Sequence, residues 1–443
     1  MGARFRRRPQ FESESEAGMK TVMELLRDNP ALNGWRVRET ATESYELFFV
    51  HQKLETVRAT DTLSTGVTVY VDHDGTRGDS SFSVYRSMSE ADIAAKIENA
   101  VARARLVNNA PYELPGAGTL SAALPTDLDK EDPKTLAMRI ADAVYAADDL
   151  PGGSINALEI FLYRDTVRVR NSNGVDKSQV LYRVMIEAIP TFTDDRQSVE
   201  LYEDYRFTVF DPEKVTAEIA QKMREVRDRA EAQKPQTPMK INVVLRPKEI
   251  EALVGELAYD LNYASVYAHA NLHEIGDDLQ ENGTGDKLTV TMKAIVEGSE
   301  AAAYFDEDGT ALTDTRILEA GKVAAYFGSN RFGQYLDVEK PSGNLNCARV
   351  EPGTLTEGQI AAAPYIECAS LSGLQLDLYN DYIGGEIRLA YYFDGKQTVP
   401  VTGISMSGKL SEVLSGLRLS DKVEISGSYE GPSKLLMPDL SIL

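Results

Sequence analysis

The sequence predicts an α+β fold with large mixed, mostly antiparallel sheets and packed helices. Two observations support this prediction. Strand-like segments flank tight-turn signals such as Asp74-Gly75 and Asn173-Gly174, as expected for antiparallel hairpins. After residue 238 a single helical segment precedes many short strands separated by Gly, Asp and Asn, unlike the regular strand–helix alternation of a doubly wound fold. We therefore expect an α/β-layered N-terminal domain and a strand-rich C-terminal domain.

In the N-terminal half, hydrophobic periodicity predicts both strands and helices. Strands are expected over residues 46–50, 57–59, 66–71, 80–84, 157–163, 166–170 and 179–189. Helices are expected over residues 19–27, 89–107, 132–147 and 212–232. The second helix begins with Ser89 and Asp92, which form a capping-box pair. Residues 109–124 are rich in Pro and Gly and are predicted to be a linker.

The main domain boundary is predicted at residues 233–238, where two prolines stop the preceding helix and stiffen the chain. The expected N-terminal domain covers residues 19–236 and is divisible into subdomains 19–125 and 126–236. The expected C-terminal domain covers residues 237–443.

The first residues of the chain are predicted to stand outside both domains. Residues 1–18 are Arg-rich and then rich in Glu and Ser, without the apolar stretch of a signal peptide. We expect them to be a disordered extension or tag, with Met19 as the natural start of the protein.

Composition excludes several classes of partner. The chain has 443 residues and a formal net charge of −22 at pH 7. Such a surface repels nucleic-acid backbones, so direct nucleic-acid binding is not expected. No apolar run is long enough to span a bilayer, and no membrane segment is expected. Cys347 and Cys368 are expected to be unpaired buried or half-buried thiols, which fits a cytoplasmic protein.

A strand followed by a helix marks the candidate site. Ile241–Leu245 alternates as a strand does, Pro247 is suited to a first helical position, and residues 249–261 have helical spacing. The helix carries the sequence Gly255-Glu256-Leu257-Ala258-Tyr259-Asp260. A zincin-type peptidase has two histidines about one helical turn apart at such a point, and a Glu that polarises the zinc-bound water. Here Gly255 has no side chain, and one carboxylate at Asp260 does not fix a zinc ion.

Further motifs recur in order along the chain. They are Thr65–Val71 followed by Asp74–Gly78, Val167–Arg170 followed by Asn171–Gly174, Phe305–Gly309, Tyr392–Lys396 with Pro400–Gly403, and Ser407–Leu410. In this order and spacing they resemble the TldD/PmbA family, whose members were once described as modulators of DNA gyrase. The resemblance runs from about Tyr45 to near the C-terminus.

The resemblance implies which site residues are present and which are missing. The family pairs a catalytic subunit, TldD, with a sister subunit, TldE or PmbA, and TldD binds zinc through His-Glu-x-x-x-His and a C-terminal Cys. Gly255 and Asp260 fall at the two His positions, Glu256 falls at the catalytic Glu, and no Cys follows Gly427. The chain therefore resembles the PmbA-type sister. The resemblance implies a vestigial Glu256, no catalytic residue, no metal and no cofactor in this chain, with zinc held only by a TldD-like partner.

The function implied by the resemblance is that of a subunit in an intracellular peptidase assembly acting on unfolded or extended polypeptides. The expected partner is a TldD-like chain or a second copy of this chain. One alternative is a stand-alone hydrolase with a relocated metal at His269 and His273, which requires a helix through both residues. Another is a non-enzymatic peptide-binding or assembly protein. Neither the substrate nor the residues that line a peptide cleft are predicted.

Overall fold

The computed structural model describes residues 22–443, so the predictions for residues 1–18 and for a start at Met19 lie outside the described residues. The predicted α+β class is confirmed, because the described strands form three mostly antiparallel sheets of eight, six and eight strands with helices packed on them. Within the described residues no helix is both long and apolar enough to cross a membrane.

The first sheet is built from strands that precede residue 208. They are β1 (Gly34–Val50), β2 (Lys53–His73), β3 (Thr76–Val84), β4 (Gly118–Ala123), β5 (Gly153–Asn171), β6 (Val175–Thr193), β7 (Ser198–Glu200) and β8 (Glu203–Phe207). Their order is β3-β2-β1-β5-β6-β4, with β7 and β8 also paired to β6. Only the β4–β6 pairing is parallel. The turns predicted at Asp74-Gly75 and Asn173-Gly174 connect β2 to β3 and β5 to β6.

Several strands of this sheet are longer than predicted. The segments 57–59 and 66–71 belong to the single strand β2, and the segments 157–163 and 166–170 belong to β5. Polar residues between the predicted segments do not end these strands, because ladder hydrogen bonds come from the backbone and the side chains pair across strands. In β5, for example, Arg164 contacts Glu43 of β1 at 2.5 Å, and Asp165 lies 2.9 Å from Arg183 of β6.

The prediction of a linker over residues 109–124 is wrong in part. Residues Gly118–Ala123 form β4, which runs parallel to β6 from the pair Gly118↔Val175 to the pair Ala123↔Val180. The backbone N–H and C=O groups of this Gly- and Ala-containing segment form hydrogen bonds with β6 at the edge of the sheet. Its side chains show no apolar pattern that would predict a strand.

Four helices accompany the first sheet. They are α1 (residues 22–27), α2 (Glu90–Ala104), α3 (Pro133–Tyr145) and α4 (Pro212–Glu231). The capping box of Ser89 and Asp92 at the start of α2 is confirmed. Asp132 and Asp211 cap α3 and α4 through their side chains, so each helix start has a polar acceptor for its free N–H groups. Helices α3 and α4 bury their apolar faces with the residues of β1, β5 and β6.

The strands after residue 238 form the other two sheets. The second sheet, in the order β12-β11-β10-β13-β21-β20, contains β10 (Val290–Lys293), β11 (Thr315–Glu319), β12 (Lys322–Val323), β13 (Cys347–Val350), β20 (Val423–Ser426) and β21 (Tyr429–Pro432). The third contains β9 (Met239–Leu245), β14 (Tyr365–Leu371), β15 (Gln375–Asp377), β16 (Tyr382–Phe393), β17 (Thr398–Val401), β18 (Ile404–Gly408), β19 (Arg418–Leu419) and β22 (Leu435–Ile442). Its order is β14-β9-β22-β18-β16-β15, and a further pairing of β14 with β16 closes five of these strands into a ring. The division of the chain at residues 236 and 237 stays a prediction.

Helices of this half connect and cover the two sheets. They are α5 (Pro247–Asp260), α6 (Tyr263–Tyr267), α7 (Asn330–Tyr335), α8 (Glu357–Ile360) and α9 (Leu410–Gly416). Helix α5 shares one buried core with both sheets, since Leu253 and Leu257 belong to the same apolar cluster as Val243 of β9 and Val290 of β10. This packing fixes the position of the candidate site.

A turn from the C-terminal half docks on the first sheet. The segment Phe305–Gly309 places Asp308 in an ion pair with Arg36 of β1. Lys177 of β6 donates to the carbonyl oxygen of Gly309 at 2.7 Å. Phe305 packs with Val169 and Val175, so apolar and charged contacts hold the turn together.

A continuous chain of opposite charges also crosses between the two halves, and we call it the charge chain. Its members are Lys248, Glu203, Lys222, Glu225, Arg246, Glu367, Lys434 and Glu357. Glu225 of α4, which is fully buried, lies 2.6 Å from Arg246, the residue that precedes α5. Arg246 in turn contacts Glu367 of β14 at 2.9 Å.

Candidate functional site

The candidate site lies on the outer face of α5. Arg246 occupies the N-cap position and Pro247 opens the helix, in agreement with the predicted start. Leu253, Val254 and Leu257 are buried. The opposite face is accessible: Gly255 is exposed and Glu256 is half-buried.

Gly255 leaves an open position on this face. A Cβ atom built at Gly255 would meet no heavy atom within 4 Å, and the residue lies within a regular helix. The backbone and its surroundings therefore leave room for a side chain here. Position 255 therefore has space for a metal-binding side chain, but glycine supplies no ligand atom there.

Asp260 is held by the segment that follows α6. The carboxylate is 4% exposed, its Oδ1 accepts from the Leu272 N–H at 2.6 Å, and its Oδ2 accepts from the His273 N–H at 3.3 Å. The Nδ1 of His273 lies 2.9 Å from the same Oδ2. A buried anion in the last turn of a helix is opposed by the helix dipole, so these donors stabilise an otherwise unfavourable charge.

The two histidines of the alternative metal site do not share a helix. Helix α6 ends at Tyr267, and His269 has a left-handed φ of 53°. The helical spacing that this alternative requires is therefore not met. His269 is exposed, whereas His273 is half-buried beside Asp260. Within residues 22–443 no three His, Cys, Asp or Glu side chains come together as a metal-binding group.

The C-terminal turn that follows Gly427 packs against α5. Glu251, one helical turn before Gly255, accepts from the Ser428 N–H at 3.1 Å and from the Ser428 hydroxyl. The chain beyond residue 425 thus reaches the same helix as Gly255, but it brings a hydroxyl rather than a thiol. Zinc peptidase sites use three protein ligands, commonly imidazole or thiolate groups with a carboxylate. The donors present at α5 do not make up such a set.

Exposed apolar side chains lie on α5, on the segment that follows α6, and at Tyr379, which contacts that segment. Tyr259 is 67% exposed and Tyr379 is 64% exposed, and Leu272 and Ile275 are exposed as well. The Tyr379 hydroxyl donates to the carbonyl oxygen of Ala270, which ties this tyrosine to the segment between α6 and His273. We call these four side chains the apolar patch. Sequence reasoning missed it, because its members follow neither helical nor strand periodicity.

Both cysteines are buried and unpaired, as predicted. Burial raises the pKa of the Cys347 thiol and raises the pKa of Cys368 strongly. Cys347 contacts the Ser299 hydroxyl at 3.6 Å. Neither thiol is placed to act as a nucleophile, because a reactive cysteine needs access and a lowered pKa.

The C-terminal half of the chain matches a known protein family. Residues 238–443 match the family model described as the PmbA/TldA metallopeptidase C-terminal domain. No curated protein matches the chain.

Solved structures share the fold across nearly the whole chain. A proposed modulator of DNA gyrase from Bacteroides thetaiotaomicron superposes with a TM-score of 0.80 at 14% identity, covering 98% of this chain and 99% of that one. TldE from Thermococcus kodakarensis gives 0.77 at 12% identity, with 97% and 100% covered. A proposed modulator of DNA gyrase from Thermotoga maritima gives 0.75 at 14% identity, with 97% and 100% covered. The family model agrees with the ordered motifs, and residues 238–443 correspond to the C-terminal domain of the PmbA/TldA family, while the solved structures show that the whole chain shares their fold.

Proposed function

We propose that this chain is a PmbA/TldE-type subunit of a TldD-type metallopeptidase assembly and that it does not cleave peptide bonds on its own. The observation that carries this proposal is the state of α5. Gly255 supplies no ligand in an open position, and both oxygens of Asp260 are engaged by Leu272 and His273. Zinc would be held by the catalytic partner.

The chemistry of amide hydrolysis supports the same assignment. Cleavage needs an activated water and a group that stabilises the developing oxyanion, and a bound metal commonly supplies both. Glu256 is half-buried on an accessible helix face. The carboxylate of Glu256 is an anion without Lewis acidity. It therefore cannot replace the positive charge with which a metal ion activates water and stabilises the oxyanion.

The role left to this chain is to bind and hold polypeptide. The apolar patch offers side-chain contacts, and the carboxylates of Glu256, Glu274 and Asp277 lie in or beside the segments that carry it. Main-chain hydrogen bonding to an extended segment suits a subunit that accepts many sequences, because backbone pairing does not depend on side chains. We place this assembly in the cytoplasm, in keeping with two free buried thiols.

The test uses the full chain alone and then with a TldD-type chain from the same host. Alone, the protein is expected to carry no stoichiometric zinc by elemental analysis and to leave a fluorescent denatured polypeptide uncut. With the partner, cleavage is expected, and it is expected to stop when the partner's catalytic Glu is replaced by Gln. One zinc per chain together with cleavage by this chain alone would overturn the proposal.

The same preparation separates the alternatives. A relocated metal site predicts that His273→Ala removes both metal and cleavage. An assembly protein without a peptidase role predicts that no TldD-type chain is recovered when this chain is used as bait in host extract.

A further inference from the structure

His273 differs from the other histidines of the described residues, because a buried carboxylate holds one ring nitrogen while the other stays free. Its Nδ1 lies 2.9 Å from Oδ2 of Asp260, which is 4% exposed. Within residues 22–443 nothing hydrogen-bonds the opposite nitrogen, Nε2, and 26% of the side-chain surface is accessible. In contrast, Nε2 of His73 contacts the carbonyl oxygen of Val107 at 3.1 Å.

The carboxylate of Asp260 determines which ring nitrogen carries the proton. Besides the ring of His273, it accepts the backbone N–H groups of Leu272 and His273. Three converging N–H donors stabilise the ionised carboxylate, which can only accept hydrogen bonds. Nδ1 of His273 therefore carries the ring proton, and Nε2 presents a lone pair.

The surroundings of His273 suit an uncharged, apolar acyl group. Leu272 is 41% exposed and Ile275 is 58% exposed, and both belong to the apolar patch. The chain has no Lys or Arg from residue 249 to residue 286, whereas Glu274 and Asp277 lie beside the patch. This charge disfavours anionic acyl donors.

From this geometry we propose that the chain has a metal-independent acyl-transfer activity, in which Nε2 of His273 is the nucleophile and uncharged aryl esters or thioesters are the substrates. Asp260 is a positioning residue, since it acts through the ring of His273. A histidine oriented by a carboxylate in this way is the arrangement that activates the imidazole of hydrolase triads. This activity is independent of the proposed peptidase role, which concerns amide bonds and zinc in a partner chain.

The reaction needs no other reactant than water. The lone pair of Nε2 attacks the carbonyl carbon, a C–N bond forms, and the C–O or C–S bond breaks as the phenolate or thiolate leaves with its electron pair. The acylated ring is positively charged, and the carboxylate of Asp260 beside Nδ1 offsets that charge. Water then attacks the acyl carbon and gives up a proton to solvent, the electron pair of the C–N bond returns to Nε2, and the acid is released.

The leaving group defines the substrate class. Nucleophilic attack without a group that protonates the leaving atom or stabilises the oxyanion is sufficient only when the leaving group is weakly basic. Phenolates and thiolates meet this condition, whereas the amine of a peptide bond does not. Ester cleavage at His273 is therefore compatible with a chain that leaves polypeptides uncut.

The experiment measures release of 4-nitrophenolate from 4-nitrophenyl butyrate by the full chain in the presence of EDTA. Several equivalents of ester are expected to be cleaved per chain. His273→Asn keeps a side-chain N–H that can donate to Asp260 but removes Nε2, and it is expected to lower the rate about tenfold or more. His269→Asn is the matched control, because His269 is exposed on the same segment and should leave the parent rate unchanged.

Asp260→Asn tests the positioning role. The amide keeps one oxygen as an acceptor but loses the charge that offsets the acylated ring. It is expected to lower kcat about tenfold while KM changes little, because the loss falls on the reaction and not on ester binding. A loosened loop would instead raise KM and lower the melting temperature, which circular dichroism measures for each variant.

Three results would overturn the proposal. They are a parent rate no higher than that of His273→Asn, equal losses in His269→Asn and His273→Asn, and loss of turnover on addition of EDTA. Release of 4-nitrophenolate that stops once the chain itself has been acylated would overturn it too. None of these measurements uses a polypeptide or a TldD-type chain, so their failure leaves the proposed function standing, and zinc-dependent proteolysis by this chain alone would defeat only the proposed function.

Discussion

The Oδ2 atom of Asp260 lies 2.9 Å from the Nδ1 atom of His273, and this contact joins the last turn of α5 to the segment that follows α6. The same carboxylate accepts the backbone N–H groups of Leu272 and His273. The carboxylate of Asp260 thereby orders the loop that follows α6. This ordering role is the basis of the first prediction.

Asp260→Ala is expected to lower the free energy of unfolding by about 2 kcal/mol, because it removes the acceptor shared by the Leu272 N–H, the His273 N–H and the His273 ring. Urea denaturation followed by circular dichroism measures the change. Glu256→Ala on the same helix is the matched control and should stay within about 0.5 kcal/mol of the parent. Equal losses for the two variants would contradict a structural role specific to Asp260.

Gly255→Ala is expected to stabilise the protein by up to about 1 kcal/mol, since Ala favours a helix interior and the added Cβ meets nothing within 4 Å. Gly285→Ala serves as the contrast, because its Cβ would lie 2.2 Å from the carbonyl oxygen of Leu417. Thermal unfolding of the two variants should move in opposite directions. A loss of stability in Gly255→Ala would contradict an open position for a side chain on this face of α5.

Arg246→Met is expected to lower the free energy of unfolding by about 3 kcal/mol at neutral pH, because the buried charge of Glu225 loses one of its two cationic partners and keeps only Lys222. Lys409→Met is the control. Lys409 and its partner Glu412 are both exposed, so loss of this ion pair should change the free energy of unfolding by less than about 1 kcal/mol. Comparable losses in the two variants would rule out a special contribution from the charge chain.

The same pair predicts a pH dependence. Burial acts to raise the pKa of Glu225, but the charges and hydrogen bonds of Lys222 and Arg246 outweigh burial and lower this pKa below its ordinary 4.5. A lowered pKa stabilises the folded state above the unfolded pKa, and this contribution is lost as pH falls through the folded pKa. The stability gap between the parent and Arg246→Met should therefore narrow at acidic pH. A gap that widens on acidification would be inconsistent with this assignment.

The apolar patch predicts a binding defect without a folding defect. Replacing Ile275 and Tyr379 together with Ser is expected to weaken binding of a denatured fluorescent polypeptide about fivefold or more, as removal of exposed contact side chains does at interfaces. The melting temperature should stay close to the parent value because both side chains are exposed. Leu106→Ser, at another exposed apolar position, should bind as the parent does. If Leu106→Ser lost as much affinity as the double variant, binding would not be localised to the patch.

Local features made α5 predictable. Pro247, the helical spacing after it and the absence of a side chain at Gly255 are all visible in consecutive residues, and the observed helix begins and ends within two residues of the prediction. The capping box at Ser89 was predictable for the same reason. In each case the signal and the structure it specifies lie within a few residues of one another.

Features that depend on residues far apart in the sequence could not be predicted from local patterns. The contact of Asp260 with His273 crosses α6, and β4 is a strand only because β6 lies beside it. Polar stretches within β2 and β5 hid the continuity of those strands, since alternation of apolar residues reports burial rather than backbone pairing. The apolar patch likewise depends on Tyr379 reaching a carbonyl oxygen far away in sequence.

The charge chain has a consequence for any attempt to study the halves separately. Cutting the protein at the predicted boundary would place Glu225 in one fragment and Arg246 in the other, although they lie 2.6 Å apart in the intact protein. Each fragment would then expose a formerly enclosed ion that has lost one of its two counter-ions, Glu225 keeping Lys222 and Arg246 keeping Glu367. Truncated pieces are thus poor substitutes for the whole molecule, and a split-protein experiment would report reassembly of the fragments through electrostatic attraction between newly cut surfaces.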